Sequence, residues 1–288
     1  MQSGWLYLDK PLGLTSTQSL GKARRLVGIK KGGHGGTLDP QATGVLPLAF
    51  GEATKLLPFM LDGEKTYTFT LTFGAQTASG DTEGDIVATT DARPSKEAFL
   101  DAIAAHRGVI EQTPPIFSAL KVDGKRAYEL ARAGKTPKMK KRQVEIKKLE
   151  LLDFSADAAT CIATVTKGTY IRSLGQDLAE HAGSLGHLTM LRRDVCAGIA
   201  LPDCIALEQV TPEALLPLEA PFDHLPRYQA SATEIADLQR GMLMDMPAIG
   251  SAPTLVFTPQ GQLASLVQAG EAGKPVKILR NFPTNILT

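Results

Sequence analysis

The amino-acid sequence predicts a mixed α/β fold with one large domain and a small second domain. Three observations carry this prediction: strand-like alternation at residues 66–74, helical spacing behind capping residues at 15–28 and 95–108, and short strand patterns after Pro221. The chain has 288 residues, of which 43% are apolar and 21% charged. These values are typical of globular proteins and leave room for a sizeable core.

Start signals and periodicity predict the elements of the first half in order. Residues 15–28 (TSTQSLGKARRLVG) open with hydroxyl side chains and continue with apolar residues at helical spacing. Residues 66–74 (TYTFTLTFG) alternate apolar residues with threonines, which indicates a half-buried strand. The turn ASGDTEGD followed by DIVATT predicts a hairpin or meander, and residues 95–108 (SKEAFLDAIAAHRG) predict a second helix.

The second half begins with a long, exposed excursion at residues 114–142, which has a proline start, a short helical piece and a basic tail. Two strands follow (VEIKKLELLDF and AATCIATVTKG), and the second leads into a helix that begins near Ile171. A helix near 232–240 and strands near 254–258, 263–268 and 276–280 come last. We therefore predict two domains, residues 1–222 and 223–288.

The cellular setting is predicted from what the sequence contains. No apolar run reaches the roughly 18 to 20 residues that a membrane span needs, and the first residues lack the pattern of a signal segment. The three cysteines have no C-x-x-C spacing and suit free, buried thiols. We expect a cytoplasmic protein.

Positive charge is concentrated in two segments. Residues 121–148 hold eleven Lys or Arg against three acids, and residues 20–31 hold five Lys or Arg and no acid. Because the whole chain carries only +1, the rest of it is acidic. A solvated helix face could explain one such run, but two runs around a glycine-rich loop favour a nucleic-acid partner.

The glycine-rich loop KGGHGGTLDPQATG, residues 31–44, holds a single carboxylate, Asp39. It lacks the spacing of phosphate-binding loops, and one acid without neighbouring ligands does not suit zinc or magnesium. Two roles for Asp39 stay open on the residues alone. It could be a nucleophile or general base held beside a cation, or it could cap a helix beginning in ATGVLPLAF.

Five ordered motifs resemble those of one family. They are KPLGLTS (10–16), GHGGTLDPQATGVLPLAFGEATK (33–55), EKTYTFTLTFGAQTASGDTEG (64–84), PPIFSALKVDGKRAYELAR (114–132) and KGTYIRSLGQDL (167–178). Their order over the first 200 residues or so resembles the bacterial tRNA pseudouridine-55 synthase family of the TruB type. The resemblance implies a mixed, mostly antiparallel sheet with flanking helices, followed by a small β-rich, PUA-like domain.

The resemblance implies an isomerase that converts uridine 55 in the T loop of tRNA to pseudouridine, with no cofactor and no metal. It implies that Asp39 is the nucleophile, either attacking ribose C1′ or removing the 2′ proton to give a glycal. Tyr67 is expected to stack on the flipped uracil and take part in removing the C5 proton. Tyr170 and Arg172 complete the catalytic group, with the arginine pairing with Asp39 and keeping it charged.

Other matches imply contacts with the substrate. His34 matches a histidine that fills the space left by flipped bases, since an aromatic ring replaces part of the lost stacking. Leu191 matches a pocket wall, and Lys10 and Pro11 match positions that support Tyr67. The remaining substrate-binding candidates are Gly36 and Lys55.

The basic excursion, residues 114–142, resembles an insertion that clamps RNA. The candidate RNA contacts are Lys30, Lys31, Lys138, Lys140, Lys141 and Arg142. We expect tRNA as the partner, bound through its T arm. We expect the protein to act as a monomer that needs no second protein and that assists tRNA folding as well. A module that only binds or folds RNA is the competing hypothesis, and it would not need Asp39, Tyr67 and Arg172 together.

Overall fold

The computed structural model describes residues 3–118, 120–122, 124–135, 137–242, 251–270 and 275–284. It contains seventeen strands and six α-helices in these ranges. The strands are β1 (Gly4–Lys10), β2 (Gly32–His34), β3 (Ala42–Phe50), β4 (Lys65–Phe73), β5 (Ala75–Thr77), β6 (Ile86–Thr89), β7 (Gly108–Gln112), β8 (Lys121–Val122), β9 (Lys125–Arg126), β10 (Arg142–Phe154), β11 (Ala158–Val165), β12 (Gly186–Cys196), β13 (Ile199–Ala200), β14 (Arg227–Gln229), β15 (Thr254–Phe257), β16 (Leu263–Gln268) and β17 (Lys277–Asn281). The helices are α1 (Ser16–Val27), α2 (Leu57–Leu61), α3 (Lys96–Ala105), α4 (Ala127–Arg132), α5 (Ile171–His181) and α6 (Ala232–Gln239).

The main sheet has the strand order β1-β3-β12-β4-β11-β10-β7, with β2 paired to β3 and β13 paired to β12. Its neighbouring strands are antiparallel except for β12 and β3, which run parallel with Leu191 opposite Ala42. The predicted mixed fold with a mostly antiparallel sheet is confirmed. Because β12 lies between β3 and β4, the strand after the glycine-rich loop and the strand that carries Tyr67 are brought close together.

Strand β4 shows the predicted alternation. Phe69, Leu71 and Phe73 are buried in a core cluster with residues of α3 and α5. On the other face, Thr66 and Thr70 form hydroxyl–hydroxyl hydrogen bonds of 3.0 Å with threonines of β11. The two faces of this strand therefore separate the core from a polar surface, as the period of two requires.

Helix α1 also follows its sequence signals. The Thr15 hydroxyl accepts the Gln18 backbone N–H, and the Gln18 side chain accepts the Thr15 backbone N–H in return. The helix ends at Gly28, whose φ of 71° lies in the left-handed region that glycine occupies without strain. Buried apolar residues of α1 pack on β1 and β3 and fix the helix beside the glycine-rich loop.

The structure decides two points that the sequence left open. The segment ATGVLPLAF forms β3 and no helix, because it pairs with β1, β2 and β12 and is buried on both faces, which a continuous apolar run permits. The strand from DIVATT, β6, forms its hairpin with the short β5 and stands outside the main sheet. The polar turn between them lies beside the first half of α5, where Gly80 faces Arg172 and Gln176.

The C-terminal strands form a second sheet in the order β14-β15-β16-β17, with α6 beside it. This sheet shares a core cluster with β1: Trp5 and Phe222 pack in one group with Leu255, Leu266 and Phe282. The indole N–H of Trp5 donates to the Leu218 carbonyl at 2.8 Å. A small β-rich C-terminal part is thus present, while the predicted boundary after residue 222 stays a prediction.

All three cysteines are free thiols, and Cys161 and Cys196 are buried. Within the described ranges, no helix has both the length and the apolar character that crossing a membrane requires.

Candidate active site

The loop that carries Asp39 is held in place by backbone contacts. The Ser16 hydroxyl donates to the Leu38 carbonyl at 3.0 Å and accepts the Leu38 N–H at 2.8 Å, so the residue before Asp39 is fixed to the start of α1. On the other side, the Gly13 N–H donates to the Pro40 carbonyl at 2.9 Å. These contacts, together with β3 directly after the loop, exclude the role of Asp39 as the cap of a following helix.

Asp39 forms an ion pair with Arg172. Arg172 Nε lies 3.0 Å from Asp39 Oδ2, and only 5% of the arginine side chain is exposed, against 36% for the aspartate. The guanidinium also donates to the carbonyls of Ser79 at 2.6 Å and Phe117 at 2.9 Å. Arg172 is therefore a buried, fixed cation at the start of α5 and not a surface charge, while the carboxylate keeps one face open to solvent.

A second carboxylate, Asp81, completes this group. Its Oδ2 lies 3.6 Å from Arg172 Nε, and its Oδ1 accepts hydrogen bonds from the Ser79 hydroxyl and the Glu83 N–H. Asp81 is 5% exposed. One buried guanidinium thus lies between two acids, of which Asp39 is the more accessible.

The electrostatics of Asp39 combine opposing effects. Burial raises the pKa of its carboxyl, the charges of Arg172 and Lys10 lower it, and the nearby Asp81 charge raises it. Without Arg172 the carboxyl would lose its closest stabilising charge. The ion pair therefore keeps Asp39 ionised over a wider pH range than burial alone would allow.

Asp39 and Arg172 lie on the wall between two cavities. One, of about 330 Å³, is lined by Tyr67, Tyr170 and Leu191, with Gly36 at its edge. The other, of about 870 Å³, is lined by His34, Ser16, Glu83 and Phe117. The structure thus brings the four predicted catalytic residues, Asp39, Tyr67, Tyr170 and Arg172, to one cavity, and Leu191 and Gly36 with them.

Tyr67 lies opposite Arg193 of the neighbouring strand β12. Burial raises the pKa of the Tyr67 phenol, and the charge of Arg193 lowers it in part. Arg193 is itself 1% exposed and donates to the carbonyls of Val45 at 2.7 Å and Gly36 at 3.1 Å. Tyr67 is thereby held as a neutral phenol on the cavity wall beside a second buried cation.

His34, Lys10 and Pro11 surround the loop in different ways. Burial and the Arg193 charge lower the pKa of His34, so its ring is neutral near pH 7. Lys10 is fully buried and donates to the carbonyls of Pro11 at 2.9 Å and Leu14 at 2.6 Å. Burial lowers the pKa of Lys10 to about 8. Lys10 and Pro11 therefore support the loop from behind, while His34 faces the larger cavity.

Lys55 lies elsewhere. Its ammonium pairs with Glu52 at 2.5 Å, donates to the Asn281 carbonyl at 3.1 Å and lies 5.7 Å from the centre of the Phe282 ring. These contacts join the first domain to the C-terminal sheet, so the geometry supports a structural role and not the substrate contact expected from its motif.

The candidate RNA contacts are mostly exposed. Lys30, Lys31, Lys138, Lys140 and Lys141 are solvent-accessible, and Lys31 and Lys141 form long ion pairs of 3.9 and 3.8 Å. Arg142 differs, since its guanidinium lies over the Tyr170 ring, 4.9 Å from the ring centre, and donates to the Gly168 carbonyl. It therefore packs on Tyr170, one of the aromatic residues that line the smaller cavity.

Sequence reasoning missed Asp81, Arg193 and Gln112 as functional candidates. Asp81 stands in the segment ASGDTEGD, whose composition predicts a turn. Arg193 lies two residues after Leu191 in β12. In the described ranges no group of three or more His, Cys, Asp or Glu could hold a metal ion. The arrangement offers a charged carboxylate beside a fixed guanidinium, facing a cavity with two aromatic residues, and this suits nucleophilic attack or proton abstraction.

Comparison with known proteins adds an independent finding. A family model described as the N-terminal domain of TruB family pseudouridylate synthase matches residues 24–171. The chain is 40% identical to tRNA pseudouridine synthase B of Bradyrhizobium diazoefficiens, over 93% of this chain and 82% of the relative. It is 41% identical to the protein of the same name from Zymomonas mobilis, over 97% and 95% of the two chains.

Solved structures share the fold. A chain in the structure of an H/ACA RNP bound to a substrate RNA containing 2′-deoxyuridine superposes with a TM-score of 0.73 at 20% identity, covering 98% of this chain and 86% of that one. A chain in the Cbf5-Nop10-Gar1 complex gives a TM-score of 0.70 at 22% identity, covering 96% and 85%.

Proposed function

The chain belongs to the TruB family of pseudouridylate synthases, and from this premise we propose that it isomerises uridine 55 in the T loop of tRNA to pseudouridine. The observation that carries the proposal is the ion pair between Asp39 and the buried Arg172 at a cavity wall that Tyr67 shares. The reaction breaks the bond between N1 and C1′, turns the uracil, and joins C5 to C1′. N1 gains a proton and C5 loses one, so no cofactor is consumed.

Asp39 is the nucleophile of this reaction. Ionisation by Arg172 makes its carboxylate reactive, and the open face of the side chain leaves an oxygen accessible to the ribose. The same carboxylate could attack C1′ or remove the 2′ proton to give a glycal, and both routes use an ionised Asp39. Extrusion of the uridine from the T loop is needed first, at an expense of a few kcal/mol.

Tyr67 stacks on the flipped uracil and takes part in removal of the C5 proton, with Leu191 and Tyr170 as the other walls of the base site. The volume of about 330 Å³ lies at the lower end of the range for small-ligand pockets. A neutral phenol suits stacking on an uncharged base. Gly36 lets backbone approach the substrate without a side chain in between.

His34 enters the space left by the flipped base. Its neutral ring and its place in the larger cavity, on the other side of Asp39 from Tyr67, support this role. Lys10 supports the loop behind it, since its ammonium donates to the Pro40 carbonyl at 3.4 Å and to the Pro11 carbonyl at 2.9 Å.

The basic segments around the site bind the tRNA. Lys30, Lys31, Lys138, Lys140 and Lys141 contact phosphates, and the residues from 223 onwards form a PUA-like domain that meets the tRNA outside the T loop. The enzyme acts as a monomer without a protein partner. Its location is the cytoplasm. Release of bound counterions by these lysines would make affinity fall steeply with salt.

The test is release of tritium from an unmodified tRNA transcript made with uridine labelled at C5. Wild type, Asp39→Asn and a transcript with cytidine in place of uridine 55 are run in parallel, with tRNA affinity measured for both proteins. We expect release from wild type on the uridine transcript alone, with the affinity of Asp39→Asn unchanged. Release from Asp39→Asn would remove Asp39 as nucleophile. No release from wild type with tRNA still bound would leave an RNA-binding or RNA-folding protein.

A further inference from the structure

Gln112, the last residue of β7, has a fully buried side chain that bonds to both backbone groups of one residue, Tyr170. Its Nε2 donates to the Tyr170 carbonyl at 3.0 Å, and its Oε1 accepts the Tyr170 N–H at 2.8 Å. A primary amide used in this way replaces the two hydrogen bonds that a neighbouring strand would provide. The Tyr170 carbonyl also accepts the Leu174 N–H at 3.0 Å, so the Tyr170 N–H is the group that depends on Gln112 for its partner.

The backbone of Tyr170 leads directly into the helix that carries Arg172. Tyr170 is the residue directly before α5, and its own side chain makes no capping hydrogen bond. Arg172 is the second residue of that helix, and its guanidinium reaches Asp39, Ser79 and Phe117 from there. Because Arg172 follows Tyr170 by two residues in the same backbone, a displacement of Tyr170 would carry the guanidinium away from Asp39.

The same residue is held through its ring. In the sheet, Gln112 lies opposite Arg142 of β10, and Arg142 stacks on the Tyr170 ring. Gln112 therefore fixes the backbone of Tyr170, and Arg142 on the neighbouring strand fixes its ring.

We propose that Gln112 is a positioning residue for the isomerisation, which holds the start of α5 so that Arg172 meets Asp39. The proposal rests on the proposed function, and its subject is the rate of the reaction after tRNA has bound. Gln112 lines neither cavity, so the role assigned to it acts through Tyr170 and Arg172.

The experiment measures the single-turnover rate constant on saturating tRNA across pH, with tRNA affinity and thermal melting measured on the same proteins. Gln112→Leu keeps the volume and removes both hydrogen bonds. Gln112→Asn keeps an amide that is one methylene too short to reach both groups. Ser173→Ala is the matched control, because its hydroxyl joins the same two segments through the Thr113 carbonyl at 3.0 Å but does not touch Tyr170.

We expect Gln112→Leu to lower the rate constant by about 10- to 100-fold, with affinity within about twofold of wild type. Gln112→Asn should lose less, and Ser173→Ala should keep the wild-type rate. The groups that face Asp39 are Arg172, Asp81 and Lys10. When Arg172 retreats, the pKa of Asp39 rises, so the acidic limb of the rate profile should move to higher pH in Gln112→Leu.

Wild-type activity is required in every comparison, so an inactive wild type would count against the proposed function and not specifically against Gln112. The inference is overturned if both Gln112 variants keep the wild-type rate. It is also overturned if the rate falls without movement of the acidic limb, or falls equally in Ser173→Ala. If Gln112→Leu does not fold, Gln112→Asn decides by the same criteria.

Discussion

Arg172 lies between two carboxylates that have unequal access to the cavity. Asp39 is more than a third exposed and faces the substrate side, whereas Asp81 is buried and bonded to its own loop. The buried Asp81 orients the guanidinium of Arg172, and the charge of that guanidinium stabilises the ionised form of the accessible Asp39. A lone Asp–Arg pair would lack this direction, because the guanidinium could turn away towards solvent.

Replacement of Asp81 by Asn tests this arrangement. The Asp81 charge raises the pKa of Asp39, so its removal should lower that pKa and move the acidic limb of the single-turnover rate to lower pH. The plateau rate should fall by about 10-fold or more, because Arg172 loses one acid partner. The measurement is the pH profile of tritium release on saturating tRNA.

Asp9→Asn is the control for this prediction, since Asp9 pairs with Arg192 at 2.9 Å and does not line either cavity beside Asp39. A shift of the limb to higher pH in Asp81→Asn, or equal shifts in the two variants, would contradict the assignment.

Among the elements, α1 does more than cover the sheet. Its first residue, Ser16, is buried and satisfies both backbone groups of Leu38, directly before Asp39. One turn later, Ser19 is equally buried, and its hydroxyl has no hydrogen-bond partner within the described part of the chain. The same helix thus offers a bonded and an unbonded buried serine.

The pair gives a prediction at this scale. Ser16→Ala should lower the free energy of unfolding by about 1–3 kcal/mol and reduce the rate on bound tRNA, because two buried backbone groups lose their partner. Ser19→Ala should be neutral or slightly stabilising, because no hydrogen bond is lost. Urea unfolding and single-turnover assays measure both effects. Equal losses in the two variants would show that the Leu38 contacts carry no special weight.

Local signals predicted the elements where they agree with the tertiary structure. The capped helix α1 and the alternating strand β4 belong to this class. Strand β3 could not be told from a helix, because an apolar run buried on both faces has no period of two. Strand β12 was not predicted, because its consecutive arginines suggest exposure, whereas Arg193 is buried and bonded to two carbonyls.

The site divides in the same way. Asp39 could be singled out by its isolation among glycines, and its pairing with Arg172 came from the family motifs. Asp81 and Gln112 could not be found, since their roles depend on partners 91 and 58 residues away along the chain, and only the fold supplies them.

At the scale of the whole molecule, the concentration of positive charge in two segments predicts RNA binding that depends on salt. Lys138 and Lys140 are exposed in the excursion that ends at Arg142. The double variant Lys138→Ala with Lys140→Ala should weaken tRNA binding and reduce the slope of log affinity against log salt by up to about two. The rate on bound tRNA should be unchanged. Arg142 is left in place because it stacks on Tyr170.

The matched control is Lys96→Ala, an exposed lysine on α3 that lies outside both basic segments. Affinity titrations at several salt concentrations separate the variants. A slope equal to that of wild type in the excursion variant, or an equal decrease in the control, would show that these lysines do not contact phosphates.

Trp5 is the single tryptophan of the chain, and it lies where β1 meets the C-terminal sheet. Its ring is fully buried, 6.2 Å from Phe222 between ring centres. The protein therefore carries an intrinsic fluorophore at the junction of its two sheets. If tRNA binding or heating separates the sheets, water will reach the indole and its emission will shift to longer wavelength, without any attached dye.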